Sequence, residues 1–167
     1  MNKNKQKLVS ISFAAIVAAL YVVLTFLAAA LGLSSGAVQV RFSEALTVLP
    51  IFMPSAVPAL FAGCILANLL TGCAMWDVVF GSIATLLGAV GTYLLRKHKI
   101  LATLPPIIAN VVIVPIVLIK VYSLTDAYWY LALTVGIGEI ISCGVLGTLL
   151  RIALEKINFF NKGLFFK

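Results

Sequence analysis

Five acidic residues occur in this chain, and three of them, Glu44, Asp77 and Glu139, fall within or at the edge of long apolar stretches. Two amides, Asn68 and Asn110, are placed the same way. Ionised carboxylates only accept hydrogen bonds, so this set suits a ligand rich in N–H donors, with an amidine-like edge or a protonated amine. The aromatic residues around it suit a flat ring.

Arg41 and Glu44 stand three residues apart and share one face of a helix start. Ser43 reads as the N-cap, and Glu44 in the first turn complements the helix dipole. A capped helix end is one reading of this cluster; a pair of groups reaching a polar ligand is the other. Glu139, in Val135-Gly136-Ile137-Gly138-Glu139-Ile140, lies near the middle of the last apolar block. An ionisable group at membrane depth is expensive and faces the bundle interior. A bond to a neighbouring helix would satisfy it, but the flanking glycines, which admit a backbone or a planar ligand, favour a binding role. Asn68 and Asn110 suit interhelical hydrogen bonds or ligand contact equally. Trp76-Asp77 reads either as an interfacial tryptophan with an N-cap aspartate or as a stacking face with an acceptor. Tyr122, Tyr128, Trp129 and Tyr130 read as interfacial aromatic residues.

The elements that hold these residues are helices. The chain has 167 residues, 63% apolar and only 10% charged, whereas a soluble domain carries about 25% charged residues. Continuous apolar runs at 8–31, 45–72, 78–95, 100–119 and 128–150 predict a single all-α integral membrane domain over 1–167, not a barrel of short alternating strands. The first run is too long for a signal-peptide core and reads as a retained helix. The second run is too long for one simple span and carries Pro50, Pro54 and Pro58, so it reads as one kinked helix or as two short ones meeting near Pro54.

Charge decides between these. With two helices there are six spans, and ten of the twelve basic residues fall on one side: Lys3, Lys5 and Lys7, the Arg96-Lys97-His98-Lys99 turn, and Arg151, Lys156, Lys162 and Lys167. Only Arg41 and Lys120 fall on the other. With one helix the majority reverses, to four inside and eight outside. The positive-inside rule selects six spans with both termini cytoplasmic. The spans are approximately 8–32, 43–53, 57–72, 77–95, 100–120 and 127–151. The second is only roughly 16 Å long at 1.5 Å per residue, so its ends must be buried in protein or face a polar cavity. The loop 33–42 is expected to fold over the outer mouth of that pocket.

Several function classes are disfavoured. The net charge of +7 is explained by topology clusters without an aromatic-interleaved basic patch, so no nucleic-acid partner is expected. Cys64, Cys73 and Cys143 show no paired spacing, and Cys64 and Cys143 read as small packing residues; no metal or cofactor is expected. No Ser-His-Asp arrangement is visible, and His98 belongs to a basic turn. Without a glycine-rich phosphate loop, energy for active transport would come from a partner. No internal repeat suggests a transporter of inverted halves. On the first helix, Ala14/Ala18 and Ala15/Ala19 form adjacent strips of small residues, suited to close packing inside the bundle or against a partner.

Together these features resemble the substrate-binding S components of energy-coupling factor (ECF) transporters. The ordered blocks Val40-Arg41-Phe42-Ser43-Glu44-Ala45-Leu46-Thr47-Val48-Leu49-Pro50, Pro58-Ala59-Leu60-Phe61-Ala62-Gly63-Cys64-Ile65-Leu66-Ala67-Asn68 and Asp77-Val78-Val79-Phe80-Gly81-Ser82-Ile83-Ala84-Thr85-Leu86 resemble the QueT family of queuosine-precursor transporters. The resemblance implies uptake of 7-deazaguanines such as preQ1 or queuine across a bacterial cell membrane. It also implies assembly with a membrane T component and two ATP-binding cassette subunits, and toppling of the S component to release substrate. On that footing Glu44 or Glu139 reads the N–H edge of the ring, Asn68 assists, Asp77 takes the amine and Trp76 stacks, with Arg41 and Asn110 completing the pocket. The alternatives are an S component for another vitamin of the riboflavin or thiamine type, and a small membrane subunit that is not a transporter.

Overall fold

The computed structural model describes residues 3–33, 38–123 and 125–157, and among these every regular element is helical. Helix α1 runs Lys3–Ala30, α2 Ala56–Leu70, α3 Met75–Leu94, α4 Leu104–Val121, α5 Tyr128–Glu139 and α6 Gly147–Lys156. A ten-residue 3₁₀ segment, Phe42–Ile51, precedes α2, and a π-helical turn, Ile140–Leu146, joins α5 to α6. Four helical stretches are long and apolar enough to cross a membrane: Asn4–Ala30, Met75–Leu94, Leu101–Val121 and Tyr128–Lys156. The 3₁₀ segment and α2 are shorter.

The long second apolar run is thus divided in two. Pro50 inside the 3₁₀ segment has no amide to donate, and Pro54 stands in the break before α2. Pro58 falls in the first turn of α2, where a missing amide costs little. The 3₁₀ geometry rises about 2.0 Å per residue, so ten residues reach roughly 20 Å, farther than the α-helix expected from the sequence. Ser43 through Ile51 are all buried, which makes this segment the axis of the bundle. α1, α2, α3, α6 and the π-helical turn surround it.

Two helix ends are fixed by glycine. α1 stops at Gly32 (φ +73°), with the amides of Gly32 and Leu33 returning to Ala29 and Ala28. α2 stops at Gly72 (φ +74°), with Gly72 and Cys73 returning to Leu69 and Asn68. Only glycine takes this left-handed position without strain, and the pattern satisfies the last carbonyls of each helix. At the opposite end of the bundle, Pro105 and Pro106 of α4 ride directly on Gly91 and Gly88 of α3. Lys99, in the turn between these helices, pairs with Glu155 of α6 at 3.0 Å, which puts the basic turn and the end of α6 at one end.

The loop after α1 is tied to α5 and the π-helical turn that follows it. The Arg41 amide donates to Ser142 Oγ at 3.1 Å, and the Gln39 carbonyl presses against Gly138, where any Cβ would collide with it. Residues 34–37, which form part of the loop expected to cover the pocket, lie outside the described residues, as do Lys162 and Lys167. Ser43 does not cap the 3₁₀ segment, whose N-cap is Arg41. Its hydroxyl instead takes a hydrogen bond from Thr25 at 2.9 Å, joining the segment to α1.

Candidate functional site

At the end remote from the basic turn, a cavity of about 440 Å³ opens between α1, α2, α3, α4 and the loop residues Gln39 and Arg41. Its size is within the range of small-molecule sites. The helices contribute residues three or four apart, as helical faces must. α3 gives Asp77, α2 gives Asn68 with Thr71 just past its end, α4 gives Val114 and Leu118 with Tyr122 just past its end, and α1 gives Thr25, Ala28 and Ala29.

Asp77 and Asn68 converge over Gly81, one turn along α3 from Asp77. A Cβ at Gly81 would lie 3.3 Å from Asn68 Nδ2 and 3.5 Å from Asp77 Oδ1, so glycine leaves room for both side chains over this turn of α3. Tyr122 holds the other carboxylate oxygen, donating from its hydroxyl to Asp77 Oδ2 at 3.2 Å and accepting from the Ala74 amide at 3.3 Å. Burial, reinforced by the Asp77 charge, pushes the Tyr122 phenol above its ordinary pKa. Asp77, Asn68 and Arg41, from three separate parts of the chain, therefore border one cavity.

Beneath the cavity lies a second polar layer. Glu44 is 1% exposed. Its Oε1 accepts from the Tyr21 hydroxyl and, at 3.5 Å, from Thr85 Oγ1. Thr85 also meets Cys64 Sγ at 3.4 Å, and that sulfur receives Asn68 Nδ2 at 3.5 Å. A chain of polar contacts thus runs from Asn68 at the cavity wall down to Glu44. Glu139 is buried opposite, with Cys143 Sγ donating to its Oε2 at 3.2 Å and Asn110 of α4 beside it. The ligand atoms of Glu44, Glu139 and Cys143 lie within 4.8 Å of one another. A divalent ion could bridge such a set, as could a ligand presenting two adjacent N–H groups. The π-helical turn begins immediately after Glu139, and such interruptions often accompany function.

The sequence model described as QueT transporter matches residues 11–156. The chain belongs to the QueT transporter family. It is also 38% identical over 98 residues to the "Queuosine precursor transporter QueT" of Lactococcus lactis subsp. cremoris (strain MG1363). That match covers 58% of this chain and 57% of the relative, so the chain spans little more than half the length of its curated relative. No solved structure gives a significant match.

In this QueT-family chain, the residues singled out from the sequence divide into three groups. Arg41, Asn68 and Asp77 line the cavity. Glu44, Glu139 and Asn110 form the buried layer below it. Trp76 joins neither: it is 61% exposed, stacks on Phe80 at 5.8 Å, and lines a separate apolar groove with Ile113, Ile116 and Lys120. Arg41 and Glu44 do not form an ion pair among the described residues; Glu44 turns to Tyr21 and Thr85 instead. Tyr21 and Thr85 escaped notice because each sits inside an apolar run that reads as packing. Tyr122, which by sequence joins the interfacial aromatic residues, lines the cavity four residues after Leu118 and eight after Val114.

The two alanine strips of α1 also separate. Gly63 of α2 meets Ala18 so closely that a Cβ there would lie 3.1 Å from the Ala18 backbone, and Ala14 packs against the core. Ala15 and Ala19 are exposed.

Proposed function

We propose that this chain is the substrate-binding membrane subunit of an ECF-type importer for queuosine precursors, 7-deazaguanines such as preQ1 or queuine. Membership of the QueT transporter family and the relative's name support the substrate class. The observation that carries the reading is the convergence of Asp77 and Asn68 over Gly81, in a cavity bordered by Arg41 and Tyr122. A protonated aminomethyl group pairs with Asp77, whose carboxylate is held by Tyr122. The ring lies toward Asn68, and its N–H edge is read by Glu44 or Glu139, with Asn110 beside Glu139. Arg41 closes the outer side. Trp76 has no part in this arrangement.

In this reading the chain crosses the bacterial cell membrane six times, with the 3₁₀ segment and α2 as short spans and both termini cytoplasmic. The proximity of Lys99 to Glu155 supports a common side for the basic turn and the end of α6. The exposed Ala15/Ala19 strip faces a T component, two ATP-binding cassette subunits supply the energy, and toppling of this subunit releases the substrate.

The test is direct binding of preQ0, preQ1, queuine, guanine, riboflavin and thiamine to the detergent-solubilised chain. Saturable binding of a 7-deazaguanine in preference to the vitamins is expected. Selective binding of a vitamin, or no binding of any 7-deazaguanine, would overturn the reading.

A further inference from the structure

Glu44 is held asymmetrically. Among the described residues, the hydrogen bonds to its carboxylate go to Oε1, from Tyr21 and Thr85, while Oε2 is buried without a partner. An unpartnered carboxylate oxygen away from water is costly, and a structure retains one where something else completes it. Thr85 is the weaker of the two holds. Its hydroxyl is shared with the Gly81 carbonyl at 3.2 Å and Cys64 Sγ at 3.4 Å, and its approach to Glu44 is the longest of the three, at 3.5 Å. Tyr21 is 2% exposed, and α1 is brought tightly onto α2 at this level, where a Cβ on Gly63 would lie 2.9 Å from the Tyr21 Cβ. The phenol is therefore fixed by backbone packing and sets the rotation of the Glu44 carboxylate.

Across from Glu44, Cys143 occupies Oε2 of Glu139. The two carboxylates thus place acceptor oxygens near each other, one already freed of internal partners. Asn68 and Thr25 line the cavity wall, and they bond Cys64 and Ser43, the neighbours of Thr85 and Glu44.

We propose that Tyr21 is a positioning residue for substrate selection: by occupying Oε1 of Glu44 it aims Oε2 at the exocyclic amine of the ring's amidine-like edge, so that rings lacking this amine are discriminated against. This rests on the functional reading above.

The experiment compares 7-deazaguanine with 7-deazahypoxanthine, the same ring without the exocyclic amine, on the wild-type chain and on Tyr21→Phe, which removes only the hydroxyl. The wild type is expected to prefer 7-deazaguanine. Tyr21→Phe should weaken 7-deazaguanine about tenfold, as for one misaligned charge-assisted hydrogen bond, and leave 7-deazahypoxanthine within about twofold. Thr85→Val, which removes the other donor to Oε1, should give the same selective loss in smaller measure, and it decides the matter if Tyr21→Phe does not fold. Equal weakening of both ligands, or no change in either, overturns the positioning role while leaving the substrate class intact. A wild-type chain that binds neither ring overturns the functional reading and this inference with it.

Discussion

The backbone amide of Arg41 donates to the hydroxyl of Ser142, 101 residues away. This bond fastens the loop bordering the cavity to the π-helical turn that follows Glu139, so both layers of the site share one anchor. The second fastening is the Gln39 carbonyl against Gly138. A methyl group at 138 would meet backbone, which cannot rotate away. Gly138→Ala should therefore destabilise the chain by about 1–3 kcal/mol through overpacking. Thermal unfolding in detergent measures this, and an unchanged midpoint would show that the loop yields at no cost.

Asp77→Asn keeps the shape of the side chain and removes its charge. If Asp77 takes a protonated amine, preQ1 affinity should fall by about 1.5–3 kcal/mol, the range for a hydrogen bond to a charged group. PreQ0, with a nitrile in place of the aminomethyl group, should change little. Titration calorimetry with both ligands checks this; equal losses would move the amine away from Asp77. Tyr122→Phe should reproduce the effect more weakly, since it loosens the carboxylate without discharging it.

What the sequence disclosed follows from what each signal measures. Pro54 marked the break because a missing amide is a local fact, readable without neighbours. The 3₁₀ winding of Phe42–Ile51 and the π-helical turn after Glu139 are matters of hydrogen-bond register, and apolar periodicity in a uniformly apolar helix hardly constrains register. Glu139 and Asp77 stood out because charge in an apolar run is conspicuous. Tyr21 and Thr85 did not, since a hydroxyl inside such a run acquires meaning only from the carboxylate it meets across the bundle. Trp76 shows the limit of adjacency: it stands beside Asp77 in the sequence, yet neighbouring residues on a helix point about 100° apart, and the two line different pockets. Ser43 is similar, a residue of capping type whose hydroxyl was engaged by another helix.

Topology is testable with single cysteines. In a Cys73→Ser background, Lys97→Cys should react with a membrane-impermeant thiol reagent only after the cells are permeabilised. Asp126→Cys should react in intact cells. Labelling of Lys97→Cys alone in intact cells would put the basic turn outside and overturn the six-span orientation, and labelling of both would mean that α4, which lies between them, does not cross the membrane.

The alanine strips of α1 give opposite outcomes. Ala18 abuts Gly63 on α2, so Ala18→Leu should separate the two helices and destabilise the isolated chain by about 1–3 kcal/mol. Ala15 and Ala19 are exposed, so Ala15→Leu and Ala19→Leu should leave its unfolding midpoint and ligand affinity unchanged. In a bilayer the association of helices depends on close packing of small residues, because the lipid tails are as apolar as the side chains. The same two substitutions should therefore abolish co-purification with a T component while sparing substrate binding. Full assembly with leucine at both positions would assign the docking face to another side of the bundle.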